Sequence, residues 1–145
     1  MEIQRSPLGE NFRDEITALL ARVPQVQFAY LFGSRARGAA GPLSDVDVAV
    51  YLDRRLCCFD WRLRIMEQLA HVLQTEHFDL VTLNDASPVL RYEVIRNGEV
   101  IKEDKKRRVD FETRALAEYL DTAFLRKEQR EYLKRQLTGN DVHGQ

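Results

Sequence analysis

At 145 residues, 44% hydrophobic and 31% charged, the chain has the composition of one soluble globular domain and is short for an enzyme with a separate substrate domain. Its 22 basic and 23 acidic residues leave a net charge of −1, which argues against a general affinity for nucleic acid or an anionic membrane. No apolar run approaches the ~20 residues that span a bilayer, no signal-peptide pattern opens the chain, and the adjacent Cys57 and Cys58 offer no disulfide framework, so the expected compartment is the cytoplasm.

Met1 to Gly9 reads as a loose lead-in. Asn11 to Arg22 has a helical pattern, with Phe12, Ile16, Leu19, Leu20 and Val23 on one face, and Pro24 ends it. Val26 to Phe32 is apolar and aromatic enough for a buried central strand. It stops at Gly33-Ser34. A glycine there lets the backbone approach a bulky ligand, and a serine can cap a turn while facing a phosphate. Arg35 and Arg37 follow. Arg37 is read as a triphosphate contact, whereas Arg35 is equally well explained as solvated. Gly38 to Ser44 is a Gly-, Ala- and Pro-containing loop.

After ten intervening residues Ser34 is followed by Asp45-Val46-Asp47, which opens a second strand. Alternation puts Asp45 and Asp47 on one face, about 6–7 Å apart at Cα. Two like charges held so close repel unless a cation sits between them, and a hard divalent ion such as Mg²⁺ takes oxygen ligands and shares substrate phosphates. A phosphate-facing turn beside paired carboxylates describes metal-assisted phosphoryl or nucleotidyl transfer. Asp53 closes the strand as a turn residue.

Cys58 to Gln74 is a second helix, in which Trp61 is read as core and Arg62 as solvated. Phe78 to Leu83 is a third strand, with Asp79 and Val81 on one side and Phe78, Leu80 and Thr82 on the other. An Asp among such apolar neighbours is costly unless paired or metal-bound, which points Asp79 at the site. His77 shares its face, without a defined role. Ser87 and Pro88 fit the N-cap and first turn of a helix over Val89 to Arg96, which Asn97-Gly98 ends. Glu99 to Lys102 is a short edge strand. Lys105 to Arg108 is a basic run, read as a solvated hinge because acids flank it. Val109 to about Leu137 reads as one long helix, very polar beyond Arg126, and residues 138–145 as a disordered tail.

The wording Phe-Gly-Ser-Arg-Ala-Arg-Gly, then Ser-Asp-Val-Asp-Val-Ala-Val, resembles the DNA polymerase β-like nucleotidyltransferase superfamily. Within it the chain is most similar to the minimal nucleotidyltransferases (MNT), the antitoxin halves of HEPN–MNT toxin–antitoxin modules. The likeness covers roughly residues 10–100. It implies an α/β (α+β) palm: a small mixed sheet, helices mainly on one face, the carboxylates on the other, and a long C-terminal helix. Residues 1–104 would form the nucleotidyltransferase domain and 105–137 a helix packed on it, available to a partner.

The resemblance implies catalytic and metal-binding roles for Asp45, Asp47 and Asp79, the last matching the superfamily's third carboxylate. It also implies nucleotide-binding roles for Gly33, Ser34 and Arg37, two Mg²⁺ ions, and ATP as substrate. The implied acceptor is a tyrosine hydroxyl on a cognate HEPN ribonuclease, which receives AMP as pyrophosphate leaves. Two other readings stand beside it. A small-molecule nucleotidyltransferase, of the kind that modifies aminoglycosides, usually has added substrate-binding structure that is not visible here. An antitoxin acting by complex formation alone would not need Gly33, Ser34, Asp45, Asp47 and Asp79 all in place.

Overall fold

The structure, a computed structural model, describes residues 11–33 and 46–139. In chain order the elements are α1 (Phe12–Ala21), β1 (Val26–Phe32), β2 (Val46–Leu52), α2 (Cys58–Leu73), β3 (Phe78–Thr82), a 3₁₀ turn (Leu83–Asp85), α3 (Pro88–Asn97), β4 (Glu99–Lys102) and α4 (Lys105–Gly139). The four strands form one mixed sheet in the order β3-β2-β1-β4. β1 runs antiparallel to both β2 and β4, whereas β2 and β3, joined through α2, are parallel.

Strand alternation divides the core in two. Ala29, Leu31, Val46, Val48, Val50, Phe78 and Leu80 face one way and pack with Ile16, Leu19 and Leu20 of α1 and Ile65, Leu69 and Leu73 of α2. The helical residues recur every three or four positions, which is why these two segments are helices with one inward stripe. Full burial of each such side chain stabilises the fold by roughly 1.5–3 kcal/mol. Phe28, Tyr30 and Ala49 face the other way and pack with Leu83, with Val94 of α3, and with Phe111 and Ala115 of α4. The helices therefore divide two and two, rather than lying mainly on one face. The alternation of β1 and β2 leaves an apolar surface on both sides of the sheet, and each needs a cover.

A register shift at Val26/Phe28 explains how Val26 and Phe28, two residues apart, reach opposite cores. Gln27 is the extra residue of the bulge, and a bulge inverts the alternation beyond it.

Caps fix the element ends. The Ser87 hydroxyl accepts from the Leu90 amide at 3.2 Å and Pro88 occupies the first turn of α3, as its sequence predicts. Gly98 ends α3, but its φ of −82° is one any residue adopts. A Cβ there would lie 2.4 Å from the Val94 carbonyl oxygen and 3.3 Å from Tyr30, so the glycine serves close approach rather than a left-handed turn. Lys102 Nζ donates to the carbonyls of Leu20 and Val23 at 2.7 and 2.8 Å, closing the end of α1. Burial pulls that ammonium's pKa down.

The basic run is the opening of α4 and not a hinge. Arg107 pairs with Asp104 at 2.9 Å, and Arg108 bridges Glu103 at 2.7 Å and Glu112 at 2.9 Å. Glu112 also accepts from the Tyr30 hydroxyl at 2.6 Å, so the flanking acids recruit the run into a helix start tied to β1. Thr138, expected in the tail, is still helical and donates to the Lys134 carbonyl. The lead-in and residues 140–145 lie outside the described residues. Beyond Ala115 the helix is largely exposed, with Leu120 at 70% and Leu137 at 82%. Among the described residues no helix is long and apolar enough to cross a membrane.

Candidate active site

The site is built where three strands converge. Gly33 follows β1 directly and has φ of +95°, in the left-handed region that glycine enters without strain. A Cβ on it would lie 2.4 Å from Asp47 Oδ2. The backbone of the turn and the Asp47 carboxylate are therefore in contact, and any side chain at position 33 would displace that carboxylate. The register agrees, since Phe32 pairs with Asp47 across β1 and β2.

On its other side Asp47 is in register with Asp79 across the parallel β2–β3 pair. Neighbouring strands lie about 4.8 Å apart, so the two carboxylates start from adjacent Cα positions on one face. That face is the one carrying Ala49, Tyr51 and Val81, and α3 and α4 cover it further along the strands. Asp47 is half-buried and Asp79 exposed.

The exposure of Asp79 corrects the burial argument made from its neighbours. Phe78 and Leu80 enter the opposite core, and the Asp79 carboxylate escapes desolvation by pointing away from them. Register with Asp47 is what brings it to the site. Asp79 Oδ1 accepts from the Leu80 amide at 2.9 Å, and the Leu80 carbonyl accepts from Arg62 Nε at 3.1 Å. The outward-facing amide and carbonyl of Leu80 on the edge strand are thus both satisfied, and the carboxylate is oriented by its own backbone. A groove of about 320 Å³ begins here, with Asp79, Arg62, Phe59, Val81, Asp85 and Leu90 among its walls.

Arg62 is the residue that sequence reasoning missed. Its charge alone predicts a solvated side chain, yet position 62 lies on the same helical stripe as Cys58, Ile65, Leu69 and Leu73, and that spacing turns it toward β3. Trp61 packs against the core as expected. His77 has its amide held by Thr75 Oγ1 at 3.1 Å in the turn before β3. Asp53 is a turn residue: its carboxylate accepts from the Arg55 amide and guanidinium, and these bonds hold its pKa down at about 2. Asp45, Ser34, Arg35 and Arg37 lie outside the described residues, as does the Gly38–Ser44 loop.

The donor set suits a hard cation. Asp47 and Asp79 offer only carboxylate oxygens, at adjacent register positions on the same face, and like charges so placed favour a divalent ion. Among the described residues no group of three or more His, Cys, Asp and Glu side chains forms a metal site.

The model of the family described as polymerase beta, nucleotidyltransferase matches residues 14–107. The chain belongs to that family. It is 36% identical over 83 residues to the protein adenylyltransferase MntA of Shewanella oneidensis (strain MR-1). That stretch is 57% of this chain and 58% of the relative, so the match spans less than two thirds of the relative's length. A crystal structure of a toxin–antitoxin with AMP-PNP superposes with a TM-score of 0.63 at 29% identity, over 90% of this chain and 97% of that one. The crystal structure of the toxin–antitoxin MntA–HepT superposes with a TM-score of 0.59 at 27% identity, over 92% and 98%. The likeness to the minimal nucleotidyltransferases drawn from the sequence holds in both sequence and fold, and the mixed α/β architecture with its long last helix is that of the family.

Proposed function

We propose that this protein is an antitoxin which transfers AMP from ATP to a tyrosine hydroxyl of a cognate HEPN ribonuclease, releasing pyrophosphate and silencing that toxin. The observation that carries the reading is the Gly33–Asp47–Asp79 arrangement: a left-handed glycine turn in contact with one carboxylate, and a second carboxylate in register beside it. The names of the similar proteins support the direction, since one is a protein adenylyltransferase and another was crystallised with a nucleotide analogue.

In this reading Gly33 and Ser34 receive the triphosphate and Arg37 neutralises part of its charge. Asp45, Asp47 and Asp79 would hold Mg²⁺, which when bound spreads the negative charge of the phosphate oxygens and lowers the pKa of the attacking hydroxyl. Asp79, which is exposed and lines the groove, would accept the hydroxyl proton, and its exposure supports this reading. The new bond joins the acceptor oxygen to the α-phosphorus, and the bond to the pyrophosphate oxygen breaks in line with it. The open carboxylate end suits a macromolecular acceptor that completes the site.

The test is a transfer assay with α-labelled ATP, Mg²⁺ and a HEPN-type partner, read by gel and mass spectrometry. Label on a partner tyrosine, absent with Asp47→Asn, is expected. A tight complex without label would favour an antitoxin acting by binding alone. Labelling that survives the Asp45→Asn/Asp47→Asn double substitution would show that the chemistry lies elsewhere.

A further inference from the structure

A second cleft among the described residues stands apart from the carboxylates. It lies at the other end of β2, about 13 Å along the strand from Asp47 at the position of Tyr51, with buried Ala49 between them. It has a volume of about 660 Å³, within the range of small-molecule sites. One wall is the turn that follows β2. The other is a single face of α4, because Arg107, Asp110, Phe111 and Arg114 recur at i, i+3, i+4 and i+7.

Its lining concentrates positive charge. Arg54, Arg55, Arg91, Arg107 and Arg114 face Asp53 and Asp110, five guanidinium groups against two carboxylates, in a chain whose net charge is −1. Arg91 is framework: it donates to the carbonyls of Leu83 and Asn84 at 2.9 and 2.7 Å. Arg55, Arg107 and Arg114 rest in pairs with Asp53, Asp104 and Asp110, and these three side chains are 88%, 61% and 67% exposed. Their guanidinium ends face solvent, and a phosphate offers the same bidentate geometry as the carboxylates they now hold. Arg54 makes no ion pair among the described residues. The charge of Arg107 reaches Asp53 and helps to hold its carboxyl down.

The apolar part of the cleft is aromatic. Tyr51 is half-exposed, its ring stacked on Phe28 at 4.8 Å and 7°, with Phe111 tilted at 5.3 Å. Arginines around an aromatic platform are how proteins hold a base together with its phosphate. A carboxylate-rich peptide would meet the arginines and leave the rings unused.

We propose that this cleft is a second ligand site, separate from the carboxylates, which binds a nucleotide through its phosphate and its base. The nucleotide is either free or part of an RNA strand, and the two sources share the chemistry of the site.

The probe is a 5′-fluorescein hexa-adenylate RNA, titrated with the full chain in EDTA and low salt and read by fluorescence anisotropy. Unlabelled AMP and unlabelled hexamer serve as competitors. Saturable binding is expected, weakened at least tenfold by Arg54→Ala/Arg107→Ala/Arg114→Ala and unchanged by Asp47→Asn. Displacement by AMP assigns a mononucleotide site, and displacement by the hexamer alone assigns a strand site. If the triple variant loses its circular dichroism spectrum, Arg54→Glu replaces it, with at least threefold weakening expected. The proposal is overturned by absence of binding, by binding indifferent to these arginine substitutions, by loss on Asp47→Asn, or by a polyglutamate peptide that competes as well as the hexamer. Label transfer reads the carboxylates alone, so either site can fail without the other.

Discussion

The two faces of the sheet solve different problems. The face against α1 and α2 is apolar and mostly aliphatic, and Ile16, Leu20, Val48, Ile65, Leu69 and Leu80 are wholly buried in it. The face against α3 and α4 is aromatic and polar: Phe28, Tyr30, Tyr51 and Phe111 pack there, a tyrosine hydroxyl is buried on an ion-paired glutamate, and two carboxylates stand at its open end. The lesson is a division of labour across one sheet. Apolar burial on the first face supplies stability that is indifferent to charge, which allows the second to hold like charges side by side.

The substitutions that probe this division act on different observables. Asp47→Asn carries the largest expected effect, a fall in transfer of at least about a thousandfold from lost phosphate charge stabilisation. Without metal its melting temperature should stay level or rise, because a like-charge repulsion is relieved. A fall of several degrees in that temperature would break the comparison. On the opposite face Ile65→Ala should cost about 2–5 kcal/mol in urea denaturation and leave the nucleotide affinity of the folded protein within a factor of two.

Tyr30→Phe is next, at about 1–2 kcal/mol, because it leaves Glu112 with one buried partner fewer. It also has a pH signature. Burial, then the Glu112 bond, raises the Tyr30 pKa above its ordinary value near 10. The stability tied to this neutral hydroxyl is complete below about pH 10 and is lost as pH rises from there toward the folded-state pKa. Alkaline unfolding followed above pH 10 should be shallower in Tyr30→Phe than in the wild type. Ser87→Ala, which removes the α3 cap, should cost about 1 kcal/mol by the same denaturation measurement and leave transfer unchanged.

The sequence carried most of this architecture because its signals were local. Pro24, Ser87-Pro88 and the alternation in Val46 to Leu52 place element ends within a residue or two of where they fall. Gly33 and Asp47 were legible as a pair because a turn glycine and a strand carboxylate must meet if one ligand is to touch both. What escaped is non-local. The Gln27 bulge leaves no mark in composition, yet it decides which core Phe28 enters. Arg62 was on the inward stripe, but its partner is a carbonyl on a strand not yet placed. The ties of Arg108 to Glu103 and Glu112 needed the helix to start four residues before its apolar pattern begins. The place of Asp79 beside Asp47 follows from strand register, and the burial argument from its neighbours fails because strand alternation turns it out of the core.

The central claim is that Asp47 and Asp79 share one metal-dependent nucleotide site. It is tested most directly by calorimetric titration of the full chain with ATP, with and without Mg²⁺, in the wild type, Asp47→Asn and Asp79→Asn. The account predicts ATP binding in the wild type that strengthens at least tenfold with Mg²⁺, and a loss of that Mg²⁺ dependence in each variant. Equal affinities with and without Mg²⁺ in the wild type, or a Mg²⁺ dependence that survives both substitutions, would contradict it.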